Sequence, residues 1–304
     1  MIKVSKVELR LTEVDPPLPD TPRTIYTDLV NLPDPARLGL TSRIFNYDDV
    51  GLYMRVDGSA SGWTFTTNNF GLVASGANIY RNIDNFGSRA KPATELTETI
   101  IVRLRAYTDS GYTTLKWTFE RTITVVFINS ADPSYTTDLN NNFDDGTVQG
   151  WAVSAEAGID SISGAVATDY VLSTPYSFKV TAGTPSTPVS PFISRLRMYK
   201  SITTPNKAIV YGIVDVRVSI PTNPLKNIRF QRDGTILIYI GTPPITPLAD
   251  EDFAQRAPED KWMRLITPLP ANTTLEVRII VEWVNGGWPS TNYSWMDDFK
   301  IISK

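Results

Sequence analysis

Acidic pairs are the side chains in this sequence whose type and spacing come nearest to supporting a reaction. They are Asp144 and Asp145, the run Asp250, Glu251 and Asp252, Glu259 and Asp260, and Asp297 and Asp298. Two carboxyl groups facing each other across a cleft would be enough to hydrolyse a glycosidic bond. Neighbouring residues of a strand point to opposite faces, however, and acidic clusters in loops are usually solvated. We therefore expect no catalysis from these pairs and predict that the protein is not an enzyme.

Two residue types are missing from the 304 residues, since the sequence has no histidine and no cysteine. Their absence excludes disulfides, thiolate zinc sites, cysteine nucleophiles, Ser-His-Asp triads and histidine-based metal catalysis. The formal net charge of -3 gives no general attraction to polyanions, so we expect no nucleic acid partner. No stretch approaches about 18 consecutive apolar residues, so we expect no membrane insertion.

Alternation of polar and apolar residues is the dominant pattern, and it predicts strands throughout the chain. In the first part, Leu52, Met54 and Val56 alternate with polar residues, and a long hairpin is predicted from Ile101 to Phe127 around the turn at Asp109. The opening MIKVSKVELRLTEV also alternates, so it is predicted to be a first strand; it lacks the apolar run of a signal peptide. Residues 1–128 are predicted to form an immunoglobulin-like β-sandwich.

A polar, turn-forming stretch follows, and residues 129–138 are predicted to be a linker. Residues 139–304 then form a second domain whose strands alternate more clearly. They are predicted around Phe178, Val216, Ile238 and Ile279. No segment sustains helical spacing with caps, so the fold class is predicted to be all-β, with two β-sandwich domains.

Short motifs at both ends of the second domain resemble those of jelly-roll carbohydrate-binding modules and their galactose-binding-like relatives. NNFDDGTVQGW (141–151) is similar to the family's opening "N-x-x-F-E-x-G-x-x-x-G-W", and WMDDFKI (295–301) is similar to its closing strand "Y-I-D-D-V-x-I". YSFKV (176–180) resembles the family's second strand. The resemblance covers residues 139–304, says nothing of residues 1–128, and implies a C-terminal jelly roll.

The closing strand raises the question of a metal. If Trp295, Phe299 and Ile301 face the core, alternation turns Asp297 towards it too, which is costly unless the carboxylate is paired or bound to a metal. The family resemblance implies a structural calcium ion held by Asp144, in place of the family's glutamate, and by Asp297. The alternative is that both aspartates only accept hydrogen bonds from backbone amides in the turns that they border.

The segment VEWVNGGWPSTNYSW (281–295) is rich in aromatic residues and contains glycine and proline, so it can present rings to a ligand. Trp283, Trp288 and Tyr293 are the candidate ligand-binding residues, and the resemblance implies sugars stacked on their rings. Trp283 lies in phase with the preceding core strand, so packing is its favoured interpretation. Trp288, between Gly287 and Pro289, is the better candidate for an exposed ring.

Two functions fit these observations. The first is a non-enzymatic structural or attachment protein of a particle or cell surface, most simply a virion component such as a spike, turret, fibre or capsid decoration. Such a protein would assemble with itself or with other structural subunits, would act at a virion or extracellular surface, and could bind glycans. The alternative is a carbohydrate-binding module protein, or a non-catalytic fragment of a secreted polysaccharide-active enzyme. The lack of a recognisable catalytic module or export sequence favours the first.

Overall fold

The computed structural model describes residues 23–32, 35–44, 51–72, 79–173, 175–183, 193–219, 225–232, 235–241, 253–255, 262–284 and 291–304. Its regular elements over these ranges are strands, which confirms the all-β prediction. None of the described residues belongs to a helix that could cross a membrane. The predicted strand at residues 1–14 lies outside the described residues.

The chain divides into two compact units. The N-terminal unit consists of Met1–Ile25, Leu32–Ile128 and Thr242–Arg256, and the C-terminal unit consists of Tyr26–Asn31, Asn129–Gly241 and Ala257–Lys304. One division between the units thus falls at 128/129, the end of the first predicted domain. The units are not continuous in sequence. Tyr26–Asn31, near the start of the chain, groups with the C-terminal unit, and Thr242–Arg256 groups with the N-terminal unit.

The strands of the N-terminal unit lie in two antiparallel sheets. Its strands are β2 (Ala36–Ile44), β3 (Tyr53–Ser59), β4 (Thr64–Phe65), β5 (Asn68–Leu72), β6 (Ile79–Arg89), β7 (Leu96–Tyr107), β8 (Leu115–Ile128) and β17 (Phe253–Gln255). One sheet has the order β8-β7-β3-β5 and the other the order β17-β2-β6-β4. The predicted hairpin is confirmed, since β7 and β8 pair antiparallel from Leu96↔Phe127 to Tyr107↔Leu115.

The core of this unit follows from the alternation of its strands. Met54 and Val56 of β3 are fully buried, and the intervening Arg55 is partly exposed. The ring of Phe65 packs against two glycines, Gly58 and Gly87. A Cβ atom added at Gly58 would lie 2.5 Å from Phe65 Cδ1, and one added at Gly87 would lie 2.8 Å from Phe65 Cε1, which is too close in both cases. A glycine is therefore needed on each strand that faces this ring.

The C-terminal unit also contains two sheets. Its strands are β9 (Thr136–Asn141), β10 (Ala152–Ala157), β11 (Ser161–Ala167), β12 (Ser177–Gly183), β13 (Ile193–Thr203), β14 (Val210–Ser219), β15 (Leu225–Arg232), β16 (Thr235–Gly241), β18 (Met263–Pro268), β19 (Thr274–Val284) and β20 (Thr291–Ser303). The first sheet has the order β11-β12-β20-β14-β18, with β9 also paired to β20; the second has the order β10-β13-β19-β15-β16. Tyr26, in β1 (Arg23–Asp28), pairs with Ile266 of β18.

The opening motif of this unit is anchored in its core. Phe143 is fully buried with its ring stacked 5.8 Å from that of Phe178, and Trp151 meets Phe299 edge to face at 5.1 Å. Lys200 of the second sheet donates to the side-chain oxygen of Asn141 at 2.8 Å and to the carbonyl of Gln149 at 2.6 Å. These bonds stabilise the turn that the glycines of the motif allow.

A β-bulge in β20 changes which side chains face this core. Asp215 pairs with Asp297 and Ile213 with Lys300, so β20 has one residue more than β14 over this stretch, and Asp298 adopts a positive φ of 49°. The buried core therefore contains Met296, Phe299 and Ile301. Trp295 is also buried, at 2% exposed, but is not part of this cluster, because the extra residue shifts the alternation between Trp295 and Phe299. The condition under which alternation turns Asp297 towards the core is therefore not met.

A buried ion-pair network lies on the other face of the first sheet. Arg264 donates to both carboxylate oxygens of Asp215, at 2.8 and 2.5 Å, and to Asp28 at 3.0 Å. Asp28 also accepts from Ser130 Oγ at 2.5 Å and from the backbone N–H of Val30. Burial raises the pKa of Asp28, but these hydrogen bonds outweigh it and lower that pKa overall. For Asp215, burial dominates over the Arg264 contact and raises the pKa.

Candidate ligand-binding surface

The three predicted ring residues lie in different surroundings. Trp288 lies outside the described residues. Trp283 is fully buried in the core of the C-terminal unit, which matches the packing interpretation and leaves its ring no exposed surface. Tyr293 is partly exposed on β20 and pairs with Thr181 of β12 and Ser219 of β14. Of the predicted rings, Tyr293 is therefore the one that the structure shows at the surface.

Tyr293 belongs to a cluster of rings on the outer face of the first sheet. Its ring lies 5.8 Å from that of Trp295, and Trp295 in turn meets Tyr170 edge to face at 4.7 Å. Trp295 is only 2% exposed, whereas Tyr170 is 41% exposed. The cluster thus has a buried tryptophan as its base and two tyrosines nearer to solvent.

Charged side chains surround these rings. Lys179 Nζ lies 4.6 Å from the centre of the Tyr293 ring, and the guanidinium carbon of Arg217 lies 3.9 Å from the centre of the Tyr170 ring. Asp169 accepts from Lys179 Nζ at 2.5 Å and from the indole N–H of Trp295 at 3.1 Å. We call this group the Tyr170 platform. It consists of Asp169, Tyr170, Lys179, Arg217, Tyr293 and Trp295.

The strand register explains how the platform is assembled. Trp295 of β20 pairs with Lys179 of β12 on one side and with Arg217 of β14 on the other. Residues that pair across antiparallel strands lie on the same face, so both cations flank the tryptophan. Cations over aromatic faces are attracted by the ring quadrupole, which stabilises this arrangement.

Asp297 binds the backbone of the segment just after Tyr170 through hydrogen bonds. Asp297 Oδ2 accepts from the backbone N–H groups of Leu172 and Ser173, both at 2.9 Å, and Oδ1 accepts from Ser173 Oγ at 3.2 Å. The carbonyl of Tyr170 accepts from Ser177 Oγ at 2.5 Å. Hydrogen bonds therefore fix the carbonyl of Tyr170 and the amides of Leu172 and Ser173, and this backbone positions the exposed ring of Tyr170.

The pKa values of Asp297 and of the platform residue Asp169 are shifted in opposite directions. Burial raises the pKa of Asp297, and the amides of Ser173 and Leu172 only partly offset this effect. Burial also raises the pKa of Asp169, but the hydrogen bonds from Lys179 and Trp295 outweigh it, so that this pKa is lowered overall. Asp169 is thus held ionised next to Lys179.

The predicted calcium ligands do not share an arrangement that fits the ion. Every oxygen contact of Asp297 given above is with a hydrogen-bond donor, and a cation would have to displace these donors. Asp144 is exposed and accepts from the side-chain amide of Asn142. In the described part of the chain, no three acidic side chains converge as a metal site. The contacts of Asp297 match the alternative of amide binding, and calcium stays a prediction.

The outer face of the second sheet is built differently. Arg197 contacts Glu156 at 3.4 Å and Glu276 at 3.9 Å, and Arg278 donates to Glu276 at 2.5 Å. The guanidinium of Arg197 also lies 4.6 Å from the centre of the Tyr199 ring. This face is a row of mutually paired charges, typical of a solvated sheet surface.

Sequence reasoning found Tyr293 but missed the rest of the platform. Lys179 and Arg217 look like ordinary exposed strand residues until the register places them beside Trp295. Asp169 and Tyr170 lie in the connection between β11 and β12, where there is no periodicity to follow. The pair Asp169-Tyr170, shortly before the YSFKV motif, is a further trace of the site in the sequence.

Comparison with known proteins gives similarity in structure alone. No family model matches the sequence, and no curated protein matches it. Solved structures that resemble the chain include a carbohydrate-binding module of the β-sandwich superfamily, at 13% identity and a TM-score of 0.38, with 93% of this chain and 94% of that chain covered.

Two further resemblances cover about half of the chain. The CBM22-1 xylan-binding domain of Paenibacillus barcinonensis Xyn10C has 15% identity and a TM-score of 0.32, covering 55% of this chain and 93% of that one. The mannan-recognising module TmCBM27 has 8% identity and a TM-score of 0.36, covering 56% of this chain and 98% of that one. Similarity at this level says nothing about what this chain binds.

Proposed function

We propose that the chain is a non-catalytic carbohydrate-binding protein that acts at an extracellular or particle surface, and that the Tyr170 platform contacts the sugar. The observation that carries the proposal is the exposure of Tyr170, 41%, on a segment whose amides are fixed by Asp297. A ring that is both exposed and pre-organised loses little conformational entropy when a ligand packs on it.

The chemistry of the platform suits a sugar. Pyranose rings have apolar faces that pack on aromatic rings and hydroxyl groups that need hydrogen-bond partners. Tyr170 supplies an accessible ring, and Asp169, whose side chain is 40% exposed, lies next to it in the chain as an acceptor. Ligand sites typically combine such apolar surface with a few convergent polar groups.

The proposal includes the finer architecture. The orders β11-β12-β20-β14-β18 and β10-β13-β19-β15-β16 support a jelly roll for the C-terminal unit, and the two smaller sheets of the N-terminal unit support an immunoglobulin-like sandwich. Trp288, predicted to be exposed, stays a candidate contact. The virion-component hypothesis also stays a prediction, and no contact in the described ranges favours it over binding.

Glycan binding by the full chain, measured on an array of neutral and acidic oligosaccharides, tests the proposal. We expect at least one class to bind, and Tyr170→Ala to weaken binding about tenfold through the lost ring contact. Leu115→Ala, which removes an exposed side chain of the N-terminal unit, is the matched control and should bind normally. No binding to any glycan would overturn the proposal, and sugar-independent, concentration-dependent assembly would favour a structural protein.

A further inference from the structure

A second group of tyrosines lies on the outer face of one sheet of the N-terminal unit. Tyr53 of β3 pairs with Tyr107 of β7, on the face turned away from the buried Met54. The ring of Tyr112, in the turn between β7 and β8, lies edge to face with both rings, 6.0 Å from that of Tyr53 and 5.6 Å from that of Tyr107. We call this group the Tyr112 platform. It consists of Tyr53, Arg55, Asn69, Tyr107 and Tyr112.

The Tyr112 platform repeats the arrangement of the Tyr170 platform. In each, a tyrosine outside the strands rests against a ring of a strand, and an arginine of a strand lies over its own ring. The guanidinium carbon of Arg55 lies 4.7 Å from the centre of the Tyr112 ring, and that of Arg217 lies 3.9 Å from the centre of the Tyr170 ring. We propose that the Tyr112 platform is a second glycan-binding site, on which a pyranose ring packs against Tyr112. This inference rests on the proposed function, because it assigns the same class of ligand to a second surface.

The ring of Tyr112 is held in place at both its backbone and its hydroxyl. Its φ of 56° is uncommon for a residue other than glycine and has to be stabilised by the surroundings. The carboxylate of Asp109 does this, since it accepts from the backbone N–H groups of Thr113 at 3.2 Å and of Thr114 at 2.6 Å. The hydroxyl of Tyr112 accepts from the backbone N–H of Gly71 at 3.1 Å. A ring fixed before binding loses little conformational entropy when a ligand packs on it.

Apolar and polar groups that solvent can reach border this ring. Tyr112 and Arg55 are partly exposed, Asn69 is exposed, and Leu72, which pairs with Tyr53, is 56% exposed. The side-chain oxygen of Asn69 accepts from Arg55 Nε at 2.9 Å, so the NH₂ group of this amide is the part that can donate to a sugar hydroxyl. Apolar surface beside a few polar groups is the usual composition of a ligand site.

The Tyr112 platform should be the weaker of the two sites. Tyr112 is only partly exposed, whereas Tyr170 is 41% exposed. The gain from a ring contact grows with the apolar area that the ligand covers, so we expect the second site to bind about tenfold more weakly. The second site would account for the glycan binding that is expected to remain in Tyr170→Ala.

The number of ligands bound per chain tests the second site. Cellotetraose, xylotetraose, mannotetraose and lacto-N-tetraose are titrated by calorimetry into the full chain and into Tyr170→Ala, in which the second site is measured alone. Each tetrasaccharide that binds should occupy two sites per chain in the wild type and one in the variant. No binding of any tetrasaccharide or array glycan would overturn both this inference and the proposed function.

Further variants in the Tyr170→Ala background assign the remaining binding to the Tyr112 platform. Tyr112→Ala should abolish it, and Asn69→Ala, which leaves the rings in place, should weaken it about fivefold. Tyr112→Phe keeps the ring and loses only the bond to Gly71, so this matched control should bind within about twofold of its parent. Unchanged melting temperatures establish folding. A single site per chain, or a second site indifferent to Tyr112→Ala and Asn69→Ala, would overturn the inference and leave the proposed function standing.

Discussion

Asp297 and Leu172 are joined by a hydrogen bond of 2.9 Å in which the backbone N–H group donates to a carboxylate that is fully buried. The same oxygen accepts from the amide of Ser173. A strand residue of the sheet therefore determines the conformation of a segment more than a hundred residues earlier. That segment presents the exposed ring of Tyr170, so the stability of the C-terminal unit and its candidate binding surface depend on one side chain.

Substitution of Asp297 tests whether the stability of the C-terminal unit and its candidate binding surface depend on this side chain. Asp297→Ala should lower the free energy of unfolding by about 2–4 kcal/mol, because buried backbone N–H groups lose a charged acceptor. Urea denaturation gives this value, and glycan binding should weaken with it. Asp298→Asn, which keeps a residue that tolerates the positive φ of 49°, is the control and should cost less than about 1 kcal/mol. Equal losses in the two variants would contradict the role of Asp297.

Chelation distinguishes the two interpretations of Asp297, as a calcium ligand and as an acceptor for backbone amides. Because its described contacts are hydrogen-bond donors, we expect EDTA to leave the melting temperature of the protein unchanged. Differential scanning calorimetry with and without added calcium measures this directly. A melting temperature that falls on chelation, with the effect absent in Asp297→Ala, would instead establish the calcium site predicted at Asp144 and Asp297.

The ion-pair network extends the C-terminal unit beyond its continuous sequence range. Asp28→Asn should destabilise this unit by about 3 kcal/mol, since Arg264 and Ser130 lose a buried charged partner. Asp132→Asn, which replaces a partly exposed aspartate that accepts from the amide of Ser134, serves as control and should change stability little. A fragment that begins at residue 129 should unfold at lower urea than one that begins at residue 23. Equal midpoints for the fragments would contradict the role of Asp28.

The hairpin turn of the N-terminal unit should be sensitive to acid. Hydrogen bonds from the amides of Thr114 and Thr113 outweigh desolvation and lower the pKa of Asp109 to about 2. A carboxyl whose pKa is lower in the folded state stabilises that state above the unfolded pKa, and this stabilisation is lost as pH falls through the folded value. The stability difference between the wild type and Asp109→Asn should therefore shrink between pH 5 and pH 2. A difference that is constant over this range would contradict the assignment.

The sequence predicted the strands well where alternation is uninterrupted. Met54 and Val56 are buried as expected, and the hairpin of β7 and β8 forms in the predicted place. Alternation did not give the face on which Trp295 lies, because a bulge adds one residue to a strand and leaves no trace in the composition. It failed at Tyr170 as well, since a ring in a connection between strands is positioned by long-range hydrogen bonds.

The bulge at Asp298 divides the last strand into two stretches with opposite parity. Interior positions are even-numbered up to Met296 and odd-numbered from Phe299 onwards. A deep mutational scan would accordingly find that the core positions intolerant of polar residues change from even to odd numbers between Met296 and Phe299. Deletion of Asp298 would place Asp297 directly before Phe299, so plain alternation would keep both Met296 and Phe299 on the core face and β20 could pair with β14 without a bulge.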